Sequence, residues 1–401
     1  MPKNTSIAFI INASTQKELK RFISNNFFMI EKIADNFKEV FIFNLNNLTF
    51  FSKSKTFPIN NLNDLQLLKN VNIFYPKDLN EFNKFIQDIK ILGISFMSSN
   101  EFSIIKILLL MKKNNIKLIE IAAVGNVQIS VGSASFHGIY KKYCHKLIVI
   151  LSNFSFLPKT EIKFITNSKL HLNNTNKSIY QKFFNYFQFS LAKKTILINS
   201  RSYDIFKENI FKKSKKYIVL LDEMLNAAPW TIYGRKPFSK NQLKNHYDKL
   251  NQKLKYLSLI YKKQIIICLH PGDNLRLKKK YFKSFRVVQY KTREYIYNSF
   301  IVLFFESSAI IDAILLNKIV LSIDSEILDI NQKSANHKYV KDLGLTVLDI
   351  DKNDNRIKIN KKLMAKKYSD FIKKYITPDK SKELGYKKVI YTIKKFLINE
   401  N

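Results

Sequence analysis

The chain has 401 residues, 46% of them hydrophobic, which is enough to bury two cores and excludes disorder over most of its length. Lys and Arg number 68 against 31 acidic residues, a formal charge of +37. That field attracts anions, whether nucleic acid, acidic lipid headgroups or nucleotide-linked sugars. Part of it reflects a composition loaded with Lys, Asn, Ile and Phe. Two cysteines, Cys144 and Cys268, lie too far apart in sequence for a disulfide framework or a zinc motif. The apolar tract near the start is too short for a signal-peptide core. The tract 301–321 carries Glu306, Asp312, Asn317 and Lys318 and fails as a membrane span. A cytoplasmic chain, peripheral at the inner membrane, is the expectation, with "RLKKKYFKSFR" (276–286), where basic and aromatic residues interleave, as the candidate contact and a solvated helix face as its plainer reading.

The elements alternate strand and helix along the chain. Residues 6–14 predict a strand, the stretch from Thr15 to Phe37 a helix, and "EVFIFNLNN" a second strand. A strand at 91–99 ends in Ser98, Ser99 and Asn100, good caps for the helix "EFSIIKILLLMKKNN". Another strand follows at 116–126. Further apolar segments fill "HKLIVILSNFSFLPKTEIKFITN", and 194–209 closes this half as a strand and helix. After the basic run 211–216 the pattern restarts. Strands are predicted in "KYIVLLDE", "QIIICLH", "RVVQY", "FIVLFFESS", "KIVLSIDS" and "LTVLDID". Helices fall between them, the longest at 240–263, and the tail is helical.

Such alternation predicts α/β architecture with two doubly wound, Rossmann-like parallel sheets facing each other. The expected domains are an acceptor-binding unit at 1–210, a nucleotide-sugar-binding unit at 211–375, and a C-terminal helix at 376–401 packing back on the first. Ligands in such sheets bind beyond the carboxyl ends of the strands.

In the second half those ends carry a short set of chemically useful residues. Asp222 and Glu223 end the first strand. His270, Pro271 and Gly272 follow "IIICL". Thr292 and Glu294 open the helix after "RVVQY", and Ser307 and Ser308 open the one after "FIVLFF". A histidine at a strand end can meet a phosphate oxygen or move a proton near neutral pH. Pro271 stops the ladder. Two hydroxyls at a helix start make a phosphate cradle, and a first-turn carboxylate can accept from ribose hydroxyls. Each residue alone is commonly a turn or a cap. Their arrival in order at one edge of one sheet is what points to a site.

The stretches "ICLHPG", "YKTREYI" and "FFESSAIIDAILLNK" resemble the nucleotide-binding half of bacterial GT-B glycosyltransferases that use CMP-activated sugars. These are the sialyltransferases, polysialyltransferases and Kdo transferases of capsule and lipooligosaccharide assembly. The resemblance covers residues 216–330. It implies a metal-independent, inverting transfer from a CMP-sugar to a glycan or glycolipid acceptor, with no cofactor. His270, Ser307 and Ser308 would hold the CMP phosphate and Glu294 the ribose. The family's acidic motif would make Asp222 or Glu223 the base, but here Met224 stands where the motif has glycine. Asn12 and Ser14, or Gly125 and Asn126, at strand ends of the first half, are the other candidates to meet the acceptor. The sole Asp-x-Asp match, "DID" at 349–351, is expected simply to end the last strand. Polyol-phosphate transfer from a CDP-alcohol and UDP-sugar transfer are the nearest alternatives. A nucleic-acid-binding protein would explain the charge and aromatics, but no RRM, KH or zinc signature supports it.

Overall fold

The structure is a computed structural model. It describes residues 6–11, 19, 28–45 and 48 without 46–47, 70–87, 91–95, 103–122, 147, 150–151, 154–166, 192–209, 214–223, 225, 238–271, 273–305, 307–328, 330–352, 357 and 359–399. The chain folds as two units. One holds the first sheet together with the tail Ser381–Asn401, and the other contains Ser202–Lys380.

In the first unit seven strands pair in the order β3-β2-β1-β4-β5-β6-β7, every neighbour parallel. They are β1 Ser6–Ile11, β2 Val40–Asn44, β3 Val71–Phe74, β4 Ile91–Ser95, β5 Lys117–Ala122, β6 Thr160–Ile165 and β7 Lys194–Leu197. Helix α1 is Leu79–Gln87 and α2 is Ser103–Lys113. β1 reads as one apolar run because both its faces are covered. Ile7, Phe9 and Ile11 join a core with Val389, Ile390 and Ile393 of the C-terminal helix Gly385–Asn399. Ala8 and Ile10 face the opposite core with Phe82 of α1 and Ile107 and Met111 of α2. Asn199, 1% exposed, anchors the tail by donating to the carbonyls of Ser381 at 3.1 Å and Glu383 at 2.8 Å. β3 falls where periodicity assigns nothing. Its four residues are too few to show a period, and only Val71 is buried.

In the second unit six strands pair in the order β10-β9-β8-β11-β12-β13, again all parallel. These are β8 Tyr217–Leu221, β9 Gln264–Leu269, β10 Arg286–Gln289, β11 Ser299–Phe304, β12 Ile319–Asp324 and β13 Thr346–Asp349. The helices in chain order are α3 Arg201–Glu208, α4 Lys240–Tyr261, α5 Leu275–Tyr281, α6 Thr292–Tyr297, α7 Ile310–Leu315, α8 Ile330–Leu343 and α9 Lys361–Phe371, the last running into a π-helical turn, Ile372–Ile376. α4 begins at a capping box. The Ser239 hydroxyl accepts from the Gln242 amide, and the Gln242 side chain accepts from the Ser239 amide. Its Leu243, Leu250, Leu254 and Leu257 pack on one face of the sheet with Ile218, Leu220, Ile267 and Leu303. The alternate residues Val219, Leu221, Cys268 and Phe304 face α6, α7 and α9.

Two details depart from the sequence pattern. α8 starts at Ile330, ahead of the stretch that periodicity marks, because "INQKSA" carries almost no apolar signal. Lys318, which argues against a membrane span, is itself buried. Its ammonium donates to the carbonyls of Ser214, Tyr297 and Ser299 at 3.1, 2.8 and 2.7 Å, tying together the amino-terminal edge of the sheet. Among the described residues no helix is long and apolar enough to cross a membrane.

Candidate nucleotide-binding edge of the second sheet

The strand order of the second sheet reverses between β8 and β11, the kind of switch point at whose carboxyl edge open α/β sheets bind their ligands. Leu221 pairs with Cys268 on one side and with Phe304 on the other. Asp222 therefore emerges level with Leu269 and Phe305. His270 lies one residue farther out on β9, and Ser307 two farther out beyond β11. The parallel pairing thus brings Asp222, Glu223, His270, Pro271, Ser307 and Ser308 to one edge. Thr292 and Glu294 follow the neighbouring strand end at β10. Asn12, Ser14, Gly125, Asn126 and Gly272 lie outside the described residues.

The turn after β9 is closed by its neighbour strand. The Asp273 amide donates to the His270 carbonyl at 2.9 Å. Gln289, the last residue of β10, donates from Nε2 to the carbonyls of His270, Pro271 and Asp273 at 3.0, 3.2 and 3.2 Å. The Tyr290 hydroxyl adds a bond to the Pro271 carbonyl at 3.2 Å. Pro271 ends the strand, and one amide side chain satisfies the carbonyls that the ladder gives up. His270 sits half-buried on this fixed turn.

Beneath it lies a buried ionic cluster. Lys278 of α5 is 4% exposed. Its ammonium meets Asp222 Oδ2 at 2.5 Å, the Glu223 carbonyl at 2.8 Å, Asp273 Oδ2 at 3.2 Å and the Tyr247 hydroxyl. One cation thus ties the end of β8 to the His270 turn and to α4. Burial works against its charge, but the carboxylates of Asp222 and Asp273 outweigh that and hold the lysine pKa above its ordinary value. Burial raises the Asp222 carboxyl, against the opposing pull of Lys278. The Tyr247 phenol is raised by burial and the Asp222 charge.

His246, one residue before Tyr247, contacts Ser325 Oγ through Nδ1 at 3.1 Å, and its ring lies 5.7 Å from that of Phe305. Burial, assisted by the Lys278 charge, pushes its pKa down to about 4, so it is neutral at physiological pH. Among the buried polar atoms near this edge that have no hydrogen-bond partner among the described residues are Asp222 Oδ1 and His246 Nε2. Buried polar atoms are ordinarily satisfied, so both are suited to meeting a ligand or an ordered water.

The other residues expected at the site sit as follows. The Ser307 hydroxyl accepts from the Ala309 amide at 3.3 Å, and the Ser307 and Ser308 carbonyls accept from Ile310 and Ile311. The pair forms the turn into α7, with Ser308 exposed. Lys291 occupies the N-cap of α6 without a side-chain bond, so Thr292 is its first helical residue rather than its cap. The Thr292 hydroxyl instead bonds the Cys268 thiol, which burial pushes up to about 12 and so keeps unreactive. Glu294 is exposed in the first turn of α6. Arg293 pairs through Nε with Asp312 Oδ2 of α7 at 2.9 Å, joining the two short helices. Asp349 and Asp351 of the "DID" stretch pair with Lys352 at 3.0 Å and Lys249 at 2.6 Å. Among the described residues no group of His, Cys, Asp or Glu is placed to hold a metal ion.

Sequence pattern alone did not single out Lys278, Gln289, Tyr247 or His246. Lys278 is one of three consecutive lysines in a segment that reads as a solvated or membrane-facing basic helix. Arg276, Lys279, Lys280, Lys283 and Arg286 of that segment are exposed, but Lys278 lies inside and Phe282, 1% exposed, joins the core.

Neither a family model nor a curated protein matches the chain. Solved structures do. The wall teichoic acid polymerase TagF is similar over 100% of this chain and 90% of its own, at 12% identity and a TM-score of 0.53. The UDP-GlcNAc 2-epimerase of Methanocaldococcus jannaschii is similar over 97% of this chain and 99% of its own, at 10% identity and a TM-score of 0.48. HepE of Anabaena, in complex with UDP, is similar over 98% and 100%, at 10% identity and a TM-score of 0.47. The likeness to TagF across the whole chain shows the fold. It is the GT-B type built from two Rossmann-like domains, as the alternation of strands and helices predicts.

Proposed function

We propose that this chain is a GT-B transferase that takes a group from a nucleotide donor and adds it to a surface glycan, glycolipid or teichoic-acid-like polymer. The observation that carries the reading is the convergence of the His270 turn and the Ser307–Ser308 turn on either side of β8, at the switch point of the second sheet. Phosphate binding at such a crevice follows from free backbone amides, hydroxyls and a nearby imidazole. The +37 charge draws an anionic donor toward it.

In this reading the donor is a nucleoside diphosphate-linked sugar or polyol, in line with the whole-chain likeness to a teichoic acid polymerase. His270 donates to the departing phosphate, and Ser307 and Ser308 bind the same group. Glu294 reaches the ribose. Asp222, closed in by Lys278, acts as an anchor for the edge rather than as the base. Glu223, or Asn12, Ser14, Gly125 and Asn126 of the first unit, meets the acceptor. A CMP-sugar donor is the second reading, favoured by the His-Pro and Ser-Ser pair of the sequence.

Calorimetric titration of CMP, UMP, CDP and UDP tests this. The expected result is binding of CDP or UDP, weakened about tenfold or more in His270→Ala and in Ser307→Ala, because hydrogen bonds to charged groups contribute roughly 1.5–3 kcal/mol. Preferential binding of CMP moves the donor to a CMP-sugar. No nucleotide binding, or binding unchanged in both variants, refutes the assignment.

A further inference from the structure

The first unit carries an exposed apolar patch unrelated to the edge described above. Leu147, Ile150 and Leu151 are helical, and the helix ends at a turn in which Ser155 has φ of 63°. The Phe156 amide bonds back to the Leu151 carbonyl at 2.9 Å and the Phe154 amide to the Ile150 carbonyl at 3.1 Å. This is the bond pattern of a left-handed C-terminal cap. The turn is pinned to α2. Lys112 donates to the Ser155 carbonyl at 2.7 Å, and Leu157 packs with Ile105 and Leu108. The two aromatics of this fixed turn are nevertheless outside, Phe154 at 69% and Phe156 at 63% exposed, with Leu109 of α2 at 47%.

Leu147, Ile150 and Phe154 follow one another at helical spacing, so they continue the same apolar ridge. An ordered turn does not need two exposed phenylalanines. Contiguous apolar surface of this kind marks an interaction face.

Charge decides among its occupants. From Phe102 to Thr160 the only acidic residue is Glu120, which pairs with Lys163 at 2.8 Å. The same segments carry Lys106, Lys112 and Lys113 on α2, all exposed, and Lys159 just after the turn. A second copy of this chain would bring the same positive charge against itself. An anionic bilayer surface satisfies both features, apolar side chains entering the headgroup boundary and lysines lying over the phosphates.

We propose that the turn Phe154–Phe156, with Leu109 and the lysines of α2, is the face by which this protein docks on an anionic membrane surface. The segment that sequence pattern offers for this role, 276–286, keeps Arg276, Lys279, Lys280, Lys283 and Arg286 exposed but buries Phe282 in the core of the second unit with Tyr281 and Phe285 packed against it, so it presents charge without exposed aromatics. The inference does not depend on the proposed function, because it concerns residues of the first unit only.

The test is co-sedimentation of the full chain with vesicles of phosphatidylcholine alone and of phosphatidylcholine with phosphatidylglycerol. Wild type is expected to bind the anionic vesicles and to be released by salt. Phe154→Ser/Phe156→Ser should lower the partition coefficient about tenfold or more, two buried aromatic side chains being lost. Lys106→Gln and Lys113→Gln should each lower it about fivefold, the share of one lysine near an anionic surface. Lys112 is left in place because it holds the turn. Unchanged thermal melting of the variants establishes that they fold. The proposal is overturned by failure of wild type to bind anionic vesicles, by binding indifferent to the phenylalanine pair, or by light scattering that shows a dimer dissolved by the same substitutions.

Discussion

Lys278→Met removes the cation that pairs with Asp222 and Asp273 beneath the His270 turn, and its cost follows from the geometry. The Lys278 side chain is 5% exposed and the Asp222 side chain 1%. Asp222 Oδ1 has no hydrogen-bond partner among the described residues, and Oδ2 meets the ammonium at 2.5 Å. Methionine fills similar space but leaves a buried carboxylate without its cation. Removing one partner of a buried pair costs about 3–5 kcal/mol, whereas an exposed pair is worth about 0–1. That loss is a large share of the roughly 5–15 kcal/mol that holds a domain together. The pH dependence has a definite sign. In the variant the folded-state pKa of Asp222 lies above its unfolded value. Stability is therefore retained in acid and lost as pH rises through the folded pKa. Urea unfolding should show a larger deficit at pH 8 than at pH 5, and Lys278→Met/Asp222→Asn should recover most of it. Nucleotide binding should weaken as well, because Asp273 no longer ties the His270 turn to β8. A deficit under about 1 kcal/mol, equal at both pH values, would refute the reasoning by showing that the pair is solvated.

Other outcomes follow from single features. His246, with its pKa pushed to about 4, is neutral when folded and takes up a proton on unfolding below about pH 6.5. Its contribution is complete above pH 6.5 and is lost as pH falls toward 4. The total is about 3 kcal/mol at roughly 1.4 kcal/mol per pKa unit, and unfolding of His246→Gln across that window should show a correspondingly flatter profile. Asn199→Ala should cost about 1–3 kcal/mol and expose the tail Ser381–Asn401 to protease, because the tail loses the two hydrogen bonds that the buried Asn199 amide donates to it. Gly344→Ala should destabilise by about 1–2 kcal/mol, since φ of +63° disfavours a side chain and the new Cβ would lie 3.1 Å from Leu363 Cγ. Thermal melting checks both.

The second sheet was legible because its strands are runs of Ile, Val, Leu and Phe buried on both faces, separated by helices of clear period. "QIIICLH" became β9 and "KNQLKNHYDKLNQKLKYLSLIYKK" became α4 with little adjustment at the ends. β3, with four residues and one of them buried, offered nothing for periodicity to detect. The strand-end residues could be named in advance because a parallel sheet sends all its carboxyl ends to one edge. What held them there could not. Gln289 looks like a polar stop after "RVV", yet it closes the turn of the strand beside it. Lys278 looks like its neighbours Lys279 and Lys280, and only the tertiary position of α5 turns that one ammonium inward. Thr292 looks like a cap, but its hydroxyl finds the Cys268 thiol. In each case the side chain's partner comes from a different strand or helix, and one-dimensional spacing carries no record of it.

The most direct test of the nucleotide site is a crystal structure of the full chain with CDP or UDP bound. The account predicts density beyond the carboxyl ends of β8, β9 and β11, with phosphate oxygens within hydrogen-bonding distance of the His270 ring and of Ser307 or Ser308. Phosphates seated at the first sheet, or away from His270 and both serines, would contradict it.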